Sequence, residues 1–83
     1  MRSNIIALIP TNSPIAYKIA TVLAKAYVEY LDHKFSDLEA EAQKRFVAWC
    51  AAYRAIGARI ELEKTVITVT INGETASVDS NSL

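Results

Sequence analysis

The chain has little of most residues on which catalytic and binding sites are built. It contains one cysteine and one histidine, two glycines and two prolines. A single cysteine, Cys50, rules out a disulfide within the chain and suits a reducing compartment, so a cytoplasmic protein is expected. One histidine and one cysteine leave a zinc site dependent on at least two carboxylates, and no metal or cofactor is expected. Gly57 and Gly73 are too few for a phosphate-cradling loop, and each falls where local backbone geometry already calls for glycine. There is no excess of either charge. Nine basic and nine acidic residues cancel, which removes the long-range field that steers a protein to nucleic acid or an anionic membrane.

Long apolar runs are missing too. The run Ile5–Ile9 is shorter than the hydrophobic core of a secretory signal, and no such signal is expected. The longest apolar helix carries Lys18, Lys25 and Glu29, which oppose a membrane-spanning role.

What is present is apolar residues: 52% of 83 positions. A chain of this size forms one domain and buries only about 60 to 65% of the surface it exposes when unfolded. Its stability margin is about 4 to 12 kcal/mol. High apolar content together with zero net charge favours association with itself or with another protein.

The pattern predicts an α+β fold: an N-terminal strand, an antiparallel helix pair, then a C-terminal antiparallel β-meander, with the helices on one face of the sheet. Residues 4–9 read as a strand ended by Pro10. Ser13 then serves as N-cap, with Pro14 opening a helix over 14–32. In that helix Lys18, Thr21, Lys25, Glu29 and Asp32 form one polar stripe, and the remainder is apolar. Two seams result. Ile15, Ile19, Val22, Leu23, Ala26 and Tyr30 are expected against the sheet, and Tyr17, Ala20, Ala24, Tyr27, Val28 and Leu31 against the second helix.

Ser36 and Glu39 have capping-box spacing and predict a second helix over 37–56, stopped by Gly57. Its buried stripe is expected to be Leu38, Ala42, Phe46, Trp49, Tyr53 and Ile56. Beyond Arg59 the period changes to two, predicting strands 59–62, 65–71 and 74–79 and a frayed tail 80–83. Asn72-Gly73 predicts a two-residue hairpin turn with Ile71 opposite Glu74, Val69 opposite Ala76 and Ile67 opposite Val78. A turn at Glu63-Lys64, or a bulge, is needed to keep Ile60 and Leu62 on the same face as Ile67 and Val69.

Candidate chemistry is thin. Thr11, Asn12 and Ser13, between the first strand and the first helix, form the nearest thing to an anion site, although an ordinary capping turn explains them. His33 sits between Asp32 and Lys34, a position that suits a solvated loop histidine as well as a proton-transfer group. Cys50 lies mid-helix, away from the helix N-terminus that activates a thiol, and reads as a packing residue. Glu61 and Glu63 share a strand face, which a solvated surface explains. Lys44, Arg45 and Arg54 point in three directions, so they make no basic face for nucleic acid.

The expected function is therefore a non-catalytic protein–protein interaction domain: a homo-oligomer, an accessory subunit or a stoichiometric inhibitor of a larger protein. Where the second helix leaves part of its seam uncovered, the exposed remainder is expected at Tyr17, Ala24 and Val28, beside the polar stripe, and these are the expected partner-binding residues. The alternative is a small enzyme or ligand-binding domain that uses the turn at Thr11, Asn12 and Ser13. A nucleic-acid-binding module ranks third.

Overall fold

The structure is a computed structural model and describes residues 14–83. The expected strand over residues 4–9 and the Thr11–Ser13 turn lie outside the described residues. Two helices, α1 (Ile15–Asp32) and α2 (Glu39–Ala55), precede three strands, β1 (Arg59–Glu63), β2 (Val66–Ile71) and β3 (Glu74–Asp79). The strands form an antiparallel sheet in the order β1-β2-β3. Both helices contact the sheet, α1 along β2 and β3 and α2 at β1. This is the expected α+β arrangement.

The helix ends differ in detail from the sequence expectation. Pro14 is the cap of α1 and not its first helical residue, because its ψ of 149° is extended, and its carbonyl accepts from Tyr17 and Lys18. In front of α2 the box closes one residue early. Glu39 Oε1 accepts from the Phe35 N–H (2.9 Å) and Ser36 Oγ from the Leu38 N–H (3.1 Å), so α2 starts at Glu39 and not at residue 37. Phe35 turns into positive φ (66°), which lets the connection fold back on itself. The C-terminus of α2 follows the sequence signal. Gly57, at φ 103°, sends its N–H to the Arg54 carbonyl and Ala58 sends its own to Tyr53, the paired bonds that close a helix on a left-handed glycine. Ala58 is then buried against the core.

The buried stripe of α1 is rotated from the expected seams. Ala16, Ala20 and Ala24, four residues apart, are fully buried, with Ile19 and Leu23 beside them. They share one core with Ile60, Ile67, Val69, Ile71 and Val78 of the sheet and with Cys50 and Ala58. Alanines let the helix backbone approach the core closely, and Ile19 and Leu23 fill the space beside them. Ile15, expected against the sheet, is consequently exposed.

The hairpins show how register follows turn chemistry. At Asn72-Gly73 both central residues have positive φ (54° and 78°), and all three expected cross-strand pairs are present. The other turn falls at Lys64-Thr65, one residue beyond Glu63-Lys64, so Ile60 faces Val69 and Leu62 faces Ile67. Lys64 alone has positive φ there (56°). The pairing has moved by two residues, which keeps every side chain on its expected face.

The outer sheet face is covered by no helix of the described chain, and its hydroxyls pair across the strands. Thr68 lies 2.8 Å from Ser77, and Thr70 lies 3.1 Å from Thr75. The tail does not fray. Ser80, only 1% exposed, donates from both its N–H (2.8 Å) and Oγ (2.7 Å) to the Thr65 carbonyl and opens a short 3-10 turn over Ser80–Ser82. These two bonds satisfy a buried hydroxyl and tie the chain end to the β1–β2 turn.

Candidate functional site: the outer face of the helix pair

Helices α1 and α2 run antiparallel, as their cross-contacts show. Arg45 Nε lies 3.3 Å from Glu29 Oε1, and the Tyr27 and Phe46 rings stack obliquely with centroids 5.2 Å apart. Along α2 only Ala42 and Cys50 are buried. The expected stripe is inward only in part: Ala42 is buried as expected, while Leu38 is exposed. Phe46 and Tyr53 pack against the core, but Trp49 is 43% exposed and Ile56 66%. Cys50 takes the inner place.

This placement leaves an open groove of about 260 Å³ between the helices, lined by Val22, Lys25, Ala26, Glu29 and Trp49. Trp49 is held at the groove by stacking on Tyr53, with centroids 5.9 Å apart and planes 19° apart. Two helical turns further along the same faces, Ile15 follows Val22 on α1 and Ile56 follows Trp49 on α2, and both are exposed. The result is an apolar strip flanked by the polar stripe of α1. A second depression runs along a single face of α2 and is lined by Glu41, Lys44, Arg45 and Ala48.

The expected partner residues are separated by the fold. Tyr17 is exposed and Val28 is half-buried, but Ala24 is 0% exposed and belongs to the core stripe. Ala24 is therefore corrected from a surface residue to a packing one, because the Ala16, Ala20 and Ala24 stripe faces inward together with Ile19 and Leu23. Sequence reading passed over the groove of Val22, Ala26 and Trp49. The signal available was the seven-residue spacing of Ile15 to Val22 and of Trp49 to Ile56, which places each pair on one helix face.

The candidate anion-binding residues Thr11, Asn12 and Ser13 lie outside the described residues. His33 caps the C-terminus of α1, its N–H directed at the carbonyls of Glu29 and Tyr30, while its own carbonyl accepts from Ser36 Oγ (2.6 Å). Burial pushes the Cys50 thiol above its ordinary pKa, partly offset by the nearby Arg54 guanidinium. Glu61 and Glu63 stand on the outer face of β1, opposite Thr68 and Val66. Of the basic residues, Arg45 is engaged by Glu29, and Arg54 donates to the Ile60 carbonyl (3.2 Å). Among the described residues no three His, Cys, Asp or Glu side chains cluster as metal ligands, and no helix is long and apolar enough to cross a membrane.

No protein-family model matches the chain, and no curated protein or solved structure matches it significantly.

Proposed function

We propose that this chain is a protein–protein interaction domain whose binding surface is the outer face of the helix pair. The observation that carries this reading is the open apolar strip of Ile15, Val22, Ala26, Trp49 and Ile56, in which a stacked tryptophan stands exposed beside a groove. Contiguous apolar surface rimmed by charge is the usual mark of a protein interface, and tryptophan is the residue most enriched among binding hot spots. The groove also lacks the enclosure of a small-molecule pocket, since its walls are two helix faces and it is open along its length. The lone buried cysteine supports a cytoplasmic setting, where thiols stay reduced.

The test is a pair of charged substitutions, Val22→Lys and Trp49→Lys. Each is expected to leave the fold intact by circular dichroism at a cost of about 1 to 2 kcal/mol, since Val22 is half-buried and Trp49 loses its stacking on Tyr53. Each is also expected to abolish cross-linking from a photoreactive residue placed at Ile56. Unchanged cross-linking in both variants would reject the strip as a binding surface.

A further inference from the structure

We infer that the occupant of this strip is a second copy of the chain, packed antiparallel across a twofold axis at Ala26 of α1. The inference rests on the interaction reading above and deepens it by naming the partner. Its ground is the order of charges on the solvent-facing stripe of α1. Lys18 and Lys25 occupy the first half, Glu29 and Asp32 the second; all four are exposed, and Glu29 also meets Arg45 of its own chain at 3.3 Å. A twofold axis perpendicular to the helix reverses the partner copy, so each cationic half lies along an anionic one. A parallel copy would align like charges instead.

The two charge pairings centre within one residue of Ala26. Lys18 and Asp32 are equidistant from Lys25, while Lys25 and Glu29 are equidistant from Tyr27. Ala26 lies between those two centres, one residue or about 1.5 Å of helix rise from each, well within the reach of a lysine side chain. The residue at the axis is thus half-buried and small, which permits close helix approach. Val22 lies one turn to the side, and Trp49 stands over the same groove. In the twofold arrangement the exposed indole of each copy covers Val22 and Ala26 of the other. Such an interface is isologous and self-limiting, giving a dimer and not a filament. Zero net charge removes the general repulsion between copies.

The experiment is sedimentation equilibrium of the full chain from micromolar to submillimolar concentration, with each variant checked for folding by circular dichroism. The parent is expected at twice the chain mass. Ala26→Arg is expected to be a folded monomer. Lys18→Glu and Asp32→Lys each weaken dimerisation by roughly fivefold, as reversal of a rim charge pair does. The double variant restores it. Lys18 and Asp32 stand roughly 21 Å apart along one helix, so mutual rescue arises only between copies. A monomeric parent, or a dimer without this rescue, overturns the second copy as occupant. In that event cross-linking from Ile56 to a different protein leaves the interaction reading standing, and no cross-linking removes both.

Discussion

Glu74, the first residue of β3, accepts a hydrogen bond from the Ala16 N–H in the first turn of α1, at 3.4 Å and across 58 residues of chain. The first turn of α1 contains no acidic residue of its own, and its cap makes no side-chain bond. A carboxylate supplied by the sheet therefore does the work that local sequence leaves undone, satisfying an orphan N–H and facing the positive end of the helix dipole. Glu74→Gln is expected to destabilise the fold by about 0.5 to 1 kcal/mol. The loss should shrink in high salt, and urea unfolding at two ionic strengths measures both effects.

Lys64 holds a left-handed backbone that glycine adopts at no steric cost. Lys64→Gly should raise stability by about 0.5 to 1 kcal/mol, the relief of left-handed strain outweighing the added freedom of the unfolded chain. Gly73→Ala should act in the opposite sense by about 1 kcal/mol. Space at Gly73 is open, so backbone conformation alone sets that cost. Thermal melts of the two variants test the pair.

Ala24→Lys places an unpaired charge in the closed core and should cost about 3 kcal/mol or more. Against a margin of about 4 to 12 kcal/mol that is a severe loss. Tyr17→Lys, at an exposed position of the same helix, should change stability by no more than about 0.5 kcal/mol. Denaturant midpoints decide; equal values would mean that the alanine stripe is not the packed face.

The raised pKa of Cys50 makes an alkaline prediction. As pH climbs past the ordinary thiol value of 9.0, the unfolded chain loses this proton first, so stability falls with pH until the folded thiol also ionises. Below 9.0 the contribution is whole. Cys50→Ala should flatten the alkaline limb of a pH–stability profile relative to the parent. At neutral pH the parent thiol should resist alkylation until the protein unfolds.

Asp79 makes the acid counterpart. The Asn81 N–H, then the Thr65 hydroxyl, hold its carboxyl below the usual 3.8. The stabilising contribution is therefore complete above that value and is lost as pH falls through the lowered pKa. Asp79→Asn should remove this part of the acid limb. Its effect on the melting temperature should shrink toward low pH, where the parent has already lost the same interaction.

Much of the fold was legible in particular residues. Asn72-Gly73 set the register of β2 against β3, because so few residue pairs tolerate two consecutive positive φ values. Gly57 ended α2, and period-two alternation sorted Ile67, Val69 and Val78 inward. The Lys64-Thr65 turn was misplaced by one residue, since neither Glu-Lys nor Lys-Thr carries a strong turn signal. Burial restored the facing because only a two-residue slip keeps the apolar side inside.

The candidate site was the less legible part. Local pattern defines which residues a helix groups together, and it grouped Ile15 with Val22 and Trp49 with Ile56. It does not define how far each helix is rolled about its own axis. On α1 nearly everything outside the polar stripe is apolar, so several rolls bury similar area, and close packing of Ala16, Ala20 and Ala24 in the core selected one. That choice buried Ala24, left Val22 and Ala26 half-buried and opened the groove beside Trp49. By itself the sequence determined the two helices and three strands of the described residues, their order and the faces of the strands, because these follow from spacing and backbone stereochemistry. The roll of the helices, the capping of α1 by Glu74 and the anchoring of Ser80 on Thr65 depend on groups distant in the chain, and only the tertiary structure decided them.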